Sequence, residues 1–255
     1  MKAVRLTVRQ AVMEQRSFWR SPEYALFTFA LPLFLLLLLG AANGGSYLPG
    51  HIRQIKVLVP SILAFGVIAA AYVNLGAKMA VLRHDGVLKR IRTTPLPAGA
   101  YLVGHIASTV ATSLAIAGSM GVVGWLAFGT VPRLGGMFIL ASGLALGIVC
   151  FAALGLAVSS LIKSAESASP ITNASYLPIA MISGIFDPTI GIPHWLSGAA
   201  GALPIKALAQ VLEDAYTPAA HAFPAVDLAI LLAWAVAGAA LAAWRFRRQP
   251  ALTAR

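Results

Sequence analysis

The stretch Val57–Ala80, VLVPSILAFGVIAAAYVNLGAKMA, decides the fold class of this 255-residue chain. Its 24 residues include one charged side chain, Lys78. A helix needs about 20 consecutive apolar residues to cross the roughly 30 Å hydrocarbon core of a bilayer, so this stretch is long enough to span a membrane. The sequence predicts an all-α integral membrane protein with six transmembrane helices. The other five apolar runs cover residues 24–42, 101–129, 134–161, 170–187 and 225–244.

The composition excludes a soluble domain. Hydrophobic residues make up 59% of the chain and charged residues 11%, whereas soluble domains have roughly 45–50% and about 25%. The same apolar excess excludes a disordered chain. Cys150 is the only cysteine, so an internal disulfide and a cysteine-cluster metal site are also excluded.

The basic residues set the predicted orientation. With six spans and both termini in the cytoplasm, 15 of the 19 Lys and Arg residues lie on the cytoplasmic side, as the positive-inside rule requires. The net charge of +11 then reflects loops beside an anionic leaflet, and no nucleic-acid partner is expected. The four basic residues outside are Arg53, Lys56, Arg133 and Lys206.

The apolar segment 192–212 is predicted not to form a seventh span. Pro193, Gly198 and Pro204 interrupt it, and a seventh span would move the arginines of the C-terminus to the outer side. We therefore expect residues 191–222 to form an extracytoplasmic re-entrant helical hairpin between helices five and six, shielded by protein where its backbone is irregular.

Residues 1–23 are predicted to form an amphipathic interfacial helix. The apolar side chains of residues 3–19 fall near one helical face and the arginines fall largely off it, a pattern typical of helices that lie in a membrane interface. An unstructured basic flank is the alternative. The segment is too long for the n-region of a signal peptide, so we expect the first apolar run to be retained.

Residues 82–94 form a second amphipathic segment, on the cytoplasmic side. Asp85 can cap a short helix with apolar residues on one side and basic residues on the other, and Pro95 and Pro97 end it. Such a helix suits docking to a soluble partner, although a solvated loop that only sets topology fits the pattern equally well. The residues on which docking would depend are Asp85, Gly86, Leu88, Lys89, Arg90 and Arg92.

Polar residues inside the predicted spans form two stripes. One follows span three from His105 to Ser119, and the other follows span five from Thr172 to Ser183. Each stripe either lines a path or hydrogen-bonds to a neighbouring helix; we favour packing for span three and lining for span five. Together with the aromatic face of span two, the candidate path residues are Phe65, Tyr72, Thr172, Tyr176 and Ser183.

The chain carries no recognisable enzyme signature. It has no P-loop and no H-E-x-x-H motif, and its ionisable residues avoid the centres of the spans, where a proton or ion pathway would place them. We therefore expect no catalytic residue, metal or cofactor in this chain. Energy for any transport would come from elsewhere.

Two segments resemble the permease subunits of ABC-2-type exporters of the daunorubicin-resistance kind. The stronger match, residues 164–216, includes ISGIFDP at 182–188 and IPHWL at 192–196. The second, DGVLKRIRTTPLP at 85–97, is similar to an acidic-Gly-x-Leu-Lys-Arg-x-Arg-x-x-Pro-Leu element of that family. The chain departs from the family pattern at Glu166, where Gln is frequent, and at Lys206, where Thr is usual.

The resemblance implies a coupling helix that docks on a separate ABC ATPase, with Glu166 among the coupling residues. ATP and Mg would be bound by that subunit, and a second permease copy or paralogue would complete the path in the plasma (cytoplasmic) membrane. The single ABC-2-type transmembrane domain would cover residues 1–255, with an elbow helix at 1–23, six spans within 24–244, a coupling helix at 82–94, a re-entrant region at 191–222 and a cytoplasmic tail at 245–255.

We therefore expect the permease subunit of an ATP-driven exporter that moves a hydrophobic or amphiphilic, drug- or lipid-like molecule. Multidrug efflux, antibiotic resistance and lipid transport are the roles that such a cargo implies. Export of a lipid-linked glycan is the main alternative. A secondary carrier or channel and an intramembrane enzyme acting on lipids are further alternatives from other classes.

Overall fold

The computed structural model describes residues 2–43, 45–48, 51–87, 90, 98–186, 200–217 and 223–248. A short hairpin pairs Tyr47–Leu48 (β1) with Ile52–Arg53 (β2) in antiparallel register. The helices are α1 (Lys2–Arg20), α2 (Pro22–Asn43), α3 (Ile55–Ile68), α4 (Leu75–His84), α5 (Ala98–Phe128), α6 (Met137–Ser159), α7 (Ala168–Ile182), α8 (Pro204–Tyr216) and α9 (Ala225–Arg248), with a π-helical turn at Ala69–Asn74 and a 3₁₀ turn at Leu134–Gly136.

Within the described residues, five helical stretches are long and apolar enough to cross a membrane. They match five of the six predicted spans and confirm the predicted all-α membrane class. The run predicted as span five is α7, whose 15 residues extend about 22 Å, less than the thickness of a bilayer core. The five stretches are Ala25–Asn43, Ile55–His84, Gly99–Phe128, Leu134–Ser159 and Ala225–Arg245.

The stretch Ile55–His84 is the centre of the fold. In its most apolar window 83% of the residues are buried, whereas the corresponding windows of the other four stretches are 22–33% buried. Apolar side chains on the other four are therefore largely exposed, as expected for surfaces that face lipid tails instead of water. The central helix is apolar on all sides because protein surrounds it.

Small residues allow α6 to touch the central helix. A Cβ atom at Gly155 would lie 2.7 Å from the carbonyl oxygen of Tyr72, and one at Gly76 would lie 3.1 Å from the carbonyl oxygen of Gly155. The two backbones are therefore in contact at the π-helical turn. Close backbone approach through small residues is a common way for membrane helices to associate.

The G-x-x-x-G motif of α6 packs inside the chain. A Cβ atom at Gly143 would lie 2.6 Å from a methyl group of Val211, and one at Gly147 would lie 2.6 Å from a methyl group of Leu208. Both contacts belong to α8, so this face holds α8 against α6.

Helix α1 runs alongside the first half of α5. Gln10 faces Gly104, where an added Cβ atom would lie 2.6 Å from Gln10 Cγ, and Ser108 Oγ lies 2.9 Å from the side-chain amide of Gln15. The polar stripe of α5 therefore packs against α1 at this level, which agrees with the favoured interpretation of that stripe. The helix predicted within residues 1–23 is confirmed, and its place in the membrane interface stays a prediction.

Candidate translocation path and coupling end

The aromatic face of the central helix meets α7. The rings of Phe65 and Tyr176 are stacked with centroids 5.5 Å apart, and Phe186 contacts Phe65 edge-on at 5.0 Å. About two turns further along, Tyr72 lies 6.3 Å from the Tyr176 ring, and its hydroxyl is 2.7 Å from Ser175 Oγ. Three of the five predicted path residues thus form one aromatic cluster.

A cavity of about 170 Å³ adjoins this cluster, between the π-helical turn and helices α6, α7, α8 and α9. Its wall is mostly hydrocarbon, and the lining residues that carry hydroxyl groups are Tyr72, Ser175 and Tyr176. An apolar pocket with a few convergent polar groups is the usual form of a small-molecule site. The other lining residues are Ile68, Phe151, Leu154, Val158, Ile179, Leu203, Pro204, Ile205 and Trp234.

Tyr176 is the most distinctive polar group of the cavity. Its side chain is 3% exposed, and its hydroxyl has no hydrogen-bond partner among the described residues. Burying such a group without a partner costs free energy. The hydroxyl itself is buried, so the structure shows a phenolic group that can donate and accept but has no partner among the described residues, beside a cavity that the same residue lines.

The other two predicted path residues lie elsewhere on α7. Thr172 is fully buried, donates its hydroxyl to the carbonyl of Ala168 at 2.9 Å, and places its methyl group near Gly76. Ser183 donates to the carbonyl of Ile179 at 2.7 Å at the end of the helix. Neither lines this cavity, so their role in a path stays a prediction.

A carboxyl group contacts the α3 half of the central helix, and the sequence analysis missed it. Glu213 of α8 accepts a hydrogen bond from Ser61 Oγ at 2.6 Å. Burial raises the pKa of Glu213 to about 7, while the bond from Ser61 acts in the opposite direction. The spacing of polar residues in α8 could have indicated it. Lys206, Gln210 and Glu213 fall on one stripe of a helix whose other faces are mainly apolar.

The predicted coupling loop starts where α4 ends. Asp85 is the C-cap residue of α4, and Gly86 follows with φ +70°, a left-handed conformation that glycine adopts at little cost. Arg90 donates from Nη2 to the carbonyl oxygen of Asp85 at 3.2 Å. Three further predicted coupling residues, Leu88, Lys89 and Arg92, lie outside the described residues.

The turn that carries Glu166 lies beside the end of α4. Arg83 donates from Nη2 to the carbonyl oxygen of Ile162, and Ser164 and Ser167 bond to each other at 2.7 Å across the turn. Glu166 is exposed. The structure thus brings together the two segments to which coupling residues were assigned, although they are about 80 residues apart in the chain.

Comparison with known proteins identifies the family. A model of the ABC-2 type transporter family matches residues 7–215, which include the central helix, the aromatic cluster and the start of the coupling loop. A search of curated proteins finds no significant match. The matched region covers well over half of the chain, and the chain belongs to the ABC-2 type transporter family.

Proposed function

We propose that this chain is the membrane-spanning subunit of an ATP-driven exporter that carries a hydrophobic or amphiphilic, drug- or lipid-like molecule out of the cell. Membership of the ABC-2 family supports a multi-pass permease that works with an ATPase partner. In this proposal the chain has six spans and both termini in the cytoplasm, and it pairs with a second permease copy or a paralogue in the plasma membrane.

The observation that carries the cargo class is the apolar cavity beside the aromatic cluster. Hydrocarbon side chains dominate its wall, and the lining residues with polar side-chain groups are Tyr72, Ser175, Tyr176 and Trp234, whose indole N–H donates to the carbonyl of Ala202. Such a wall suits an alkyl or aromatic body with one or two hydrogen-bonding atoms. A glycan would leave most of its hydroxyl groups without partners there, at a cost for each group.

Transport then requires two conformations with different affinities for the cargo. ATP closes the partner ATPases, and the loops that dock on them change the arrangement of the spans. ATP can move cargo only if the two conformations bind the cargo with different affinities. A ligand with equal affinity for both states does not change the equilibrium between them.

The path is tested by filling the cavity. Val158 of α6 lines the cavity, whereas Val149 of the same helix is 55% exposed on its outer surface. We expect Val158→Phe to reduce ATP-driven uptake of rhodamine 6G or NBD-labelled phosphatidylethanolamine into proteoliposomes about tenfold or more. Val149→Phe should transport normally. Equal transport by both variants would exclude this cavity from the path.

The coupling loop is tested by placing a charge on its apolar side. Leu88→Asp should uncouple ATP hydrolysis from transport or prevent assembly with the ATPase, while the chain remains in the membrane. Leu252→Asp, the same change in the predicted cytoplasmic tail, is the matched control. Normal transport by Leu88→Asp would refute the docking role of residues 82–94.

The nature of the complex is tested by gentle purification from the native membrane followed by mass spectrometry. A stoichiometric P-loop ATPase supports the proposal, and a second six-span chain beside it would indicate a heterodimer. An intact membrane complex without an ATPase, together with uptake that follows an ion gradient, would refute the proposal in favour of a secondary carrier.

A further inference from the structure

A partly buried polar cluster, in which the Lys78 side chain is 40% exposed, joins α1 to α4, the predicted cytoplasmic half of the central helix. Glu14 of α1 is 13% exposed, and its two carboxylate oxygens face different partners. Oε2 lies 2.5 Å from Lys78 Nζ on α4, and Oε1 lies 3.3 Å from His105 Nε2 on α5. Gln10 Nε2 donates to the same Oε1 at 2.8 Å. One carboxylate thus contacts two helices besides its own.

The surroundings of this carboxylate are polar and partly buried. His105 is 2% exposed and packs edge-on against Tyr101 with centroids 4.5 Å apart. A cavity of about 50 Å³ lies beside the cluster and is lined largely by polar side chains, a volume sufficient for a few water molecules. Because the Lys78 side chain is 40% exposed, solvent screens its pair with Glu14, and we expect the pair to contribute more to the position of α4 than to overall stability.

The position of Lys78 connects the cluster to the predicted coupling loop. Lys78 lies two turns before Asp85, where α4 ends and the predicted coupling loop begins. The π-helical turn Ala69–Asn74 separates this half of the central helix from the outer half, and π-helical turns inside α-helices are frequent at functional sites. The cytoplasmic half is therefore a distinct segment whose position depends on its own contacts.

We propose that Glu14 is a positioning residue for coupling: through Lys78 it holds α4 and the start of the coupling loop in register with α1 and α5. In this role α1 is part of the transmission between ATPase and spans, as well as a contact with the membrane. The inference rests on the proposed ATP-driven transport. The inference identifies Glu14, which lies outside the coupling loop, as a further residue on which that transport depends.

The first test measures transport in the complete complex with its ATPase, reconstituted in proteoliposomes with rhodamine 6G as probe. Glu14→Gln is expected to keep ATP hydrolysis but lower the dye transported per ATP hydrolysed about 5- to 100-fold, the usual range for loss of one coupling interaction. Glu23→Gln removes an exposed carboxylate at the start of α2 and should leave the ratio unchanged. The reversed pair Glu14→Lys with Lys78→Glu should recover most of it.

The second test does not depend on the cargo. In the same complex, hydrogen–deuterium exchange should become faster in residues 78–90 of Glu14→Gln but not of Glu23→Gln, and the reversed pair should restore protection. Faster exchange confined to α1 and α5, with an unchanged ratio of transport to hydrolysis, would overturn the inference and leave Glu14 with a structural role.

The two proposals fail in different ways. A wild-type complex that shows no ATP-driven uptake would contradict the proposed function, whatever the variants do. A wild-type complex that transports normally, with Glu14→Gln equal to it in both measurements, would contradict the positioning role alone.

Discussion

The two halves of the central helix are held in place by different forces. The half predicted to face outward, α3 (the outer half), is buried along most of its length among apolar side chains, and among the described residues Ser61 makes its hydrogen-bonded polar contact to α8. The half predicted to face the cytoplasm, α4 (the inner half), carries Lys78 and Arg83, which reach Glu14 and the carbonyl of Ile162 on other segments. Apolar packing therefore fixes the outer half, whereas the inner half is held by apolar packing of Leu75, Met79 and Ala80 together with a few polar contacts.

This difference suits a helix of which only one end must move. Apolar packing depends on many atoms in van der Waals contact and resists displacement as a whole. A few hydrogen bonds and ion pairs can be exchanged for others at small net cost. The π-helical turn Ala69–Asn74, which joins the two halves, is called the junction. We therefore expect substitutions at the junction to lower stability most and the contact between Glu213 and Ser61 to make stability depend on pH. The loss of a single hydroxyl group should lower stability least.

The largest effect on stability is expected at the junction. Gly155→Val places methyl groups where the backbone of Tyr72 lies, because even a Cβ atom would be 2.7 Å from its carbonyl oxygen. Overpacking of this kind costs about 1–3 kcal/mol or more, so the melting temperature in detergent should fall by about 5–10 °C. Gly121→Val in α5, where an added Cβ atom meets nothing within 4 Å, is the control. Equal melting temperatures of Gly155→Val and Gly121→Val would show that the contact between Gly155 and Tyr72 does not hold the central helix in place.

A smaller effect is expected at the polar contact of the outer half. The pKa of Glu213 is raised to about 7 by burial, so the folded state favours the protonated carboxyl and loses stability as pH rises through that value. The wild type should lose about 3–5 °C in melting temperature, relative to Glu213→Gln, between pH 6 and pH 8.

The exposed Glu166 supplies the control for this pH dependence. Glu166→Gln should keep the pH profile of the wild type, since its carboxyl is open to solvent. A constant difference between the wild type and Glu213→Gln from pH 6 to pH 8 would contradict a raised pKa in the folded protein.

The smallest effect is expected from a single hydroxyl at the junction. Tyr72→Phe removes the bond to Ser175, but Ser175 keeps its bond to the carbonyl of Thr172 at 2.9 Å. The loss should be about 1 kcal/mol, or about 2–4 °C in melting temperature. Tyr47→Phe, at a residue that is 65% exposed, should change nothing measurable. A loss as large as that of Gly155→Val would mean that polar contacts hold the junction as strongly as close packing does.

Sequence reasoning recovered the features that depend on neighbouring residues. The apolar runs predicted the spans because crossing a bilayer requires contiguous apolar chain, and the amphipathic pattern predicted the helix within residues 1–23. The aromatic face with Phe65 and Tyr72 followed from periodicity, and the structure places both against Tyr176. The ABC-2 resemblance followed from short motifs, and the family match confirms it.

The remaining features depend on residues that are far apart in the chain. Nothing in the pattern around Glu14 indicates that its partners are Lys78 and His105, 64 and 91 residues away. The carboxyl of Glu213 was overlooked because α8 is an apolar segment interrupted by Pro and Gly, in which a charge is expected to face solvent. Its contact with Ser61 arises only when α8 packs on α3.

The sequence by itself determined that this chain is an α-helical membrane protein of the ABC-2 family, since hydropathy, span length and local motifs are properties of contiguous residues. The tertiary structure decided what those residues do for one another. It turned the polar stripe of α5 towards α1, enclosed the cavity between the π-helical turn and helices α6–α9, and joined α1 to α4 through one carboxylate. These outcomes depend on helix packing, which brings distant side chains within a few ångströms and which a linear pattern does not encode.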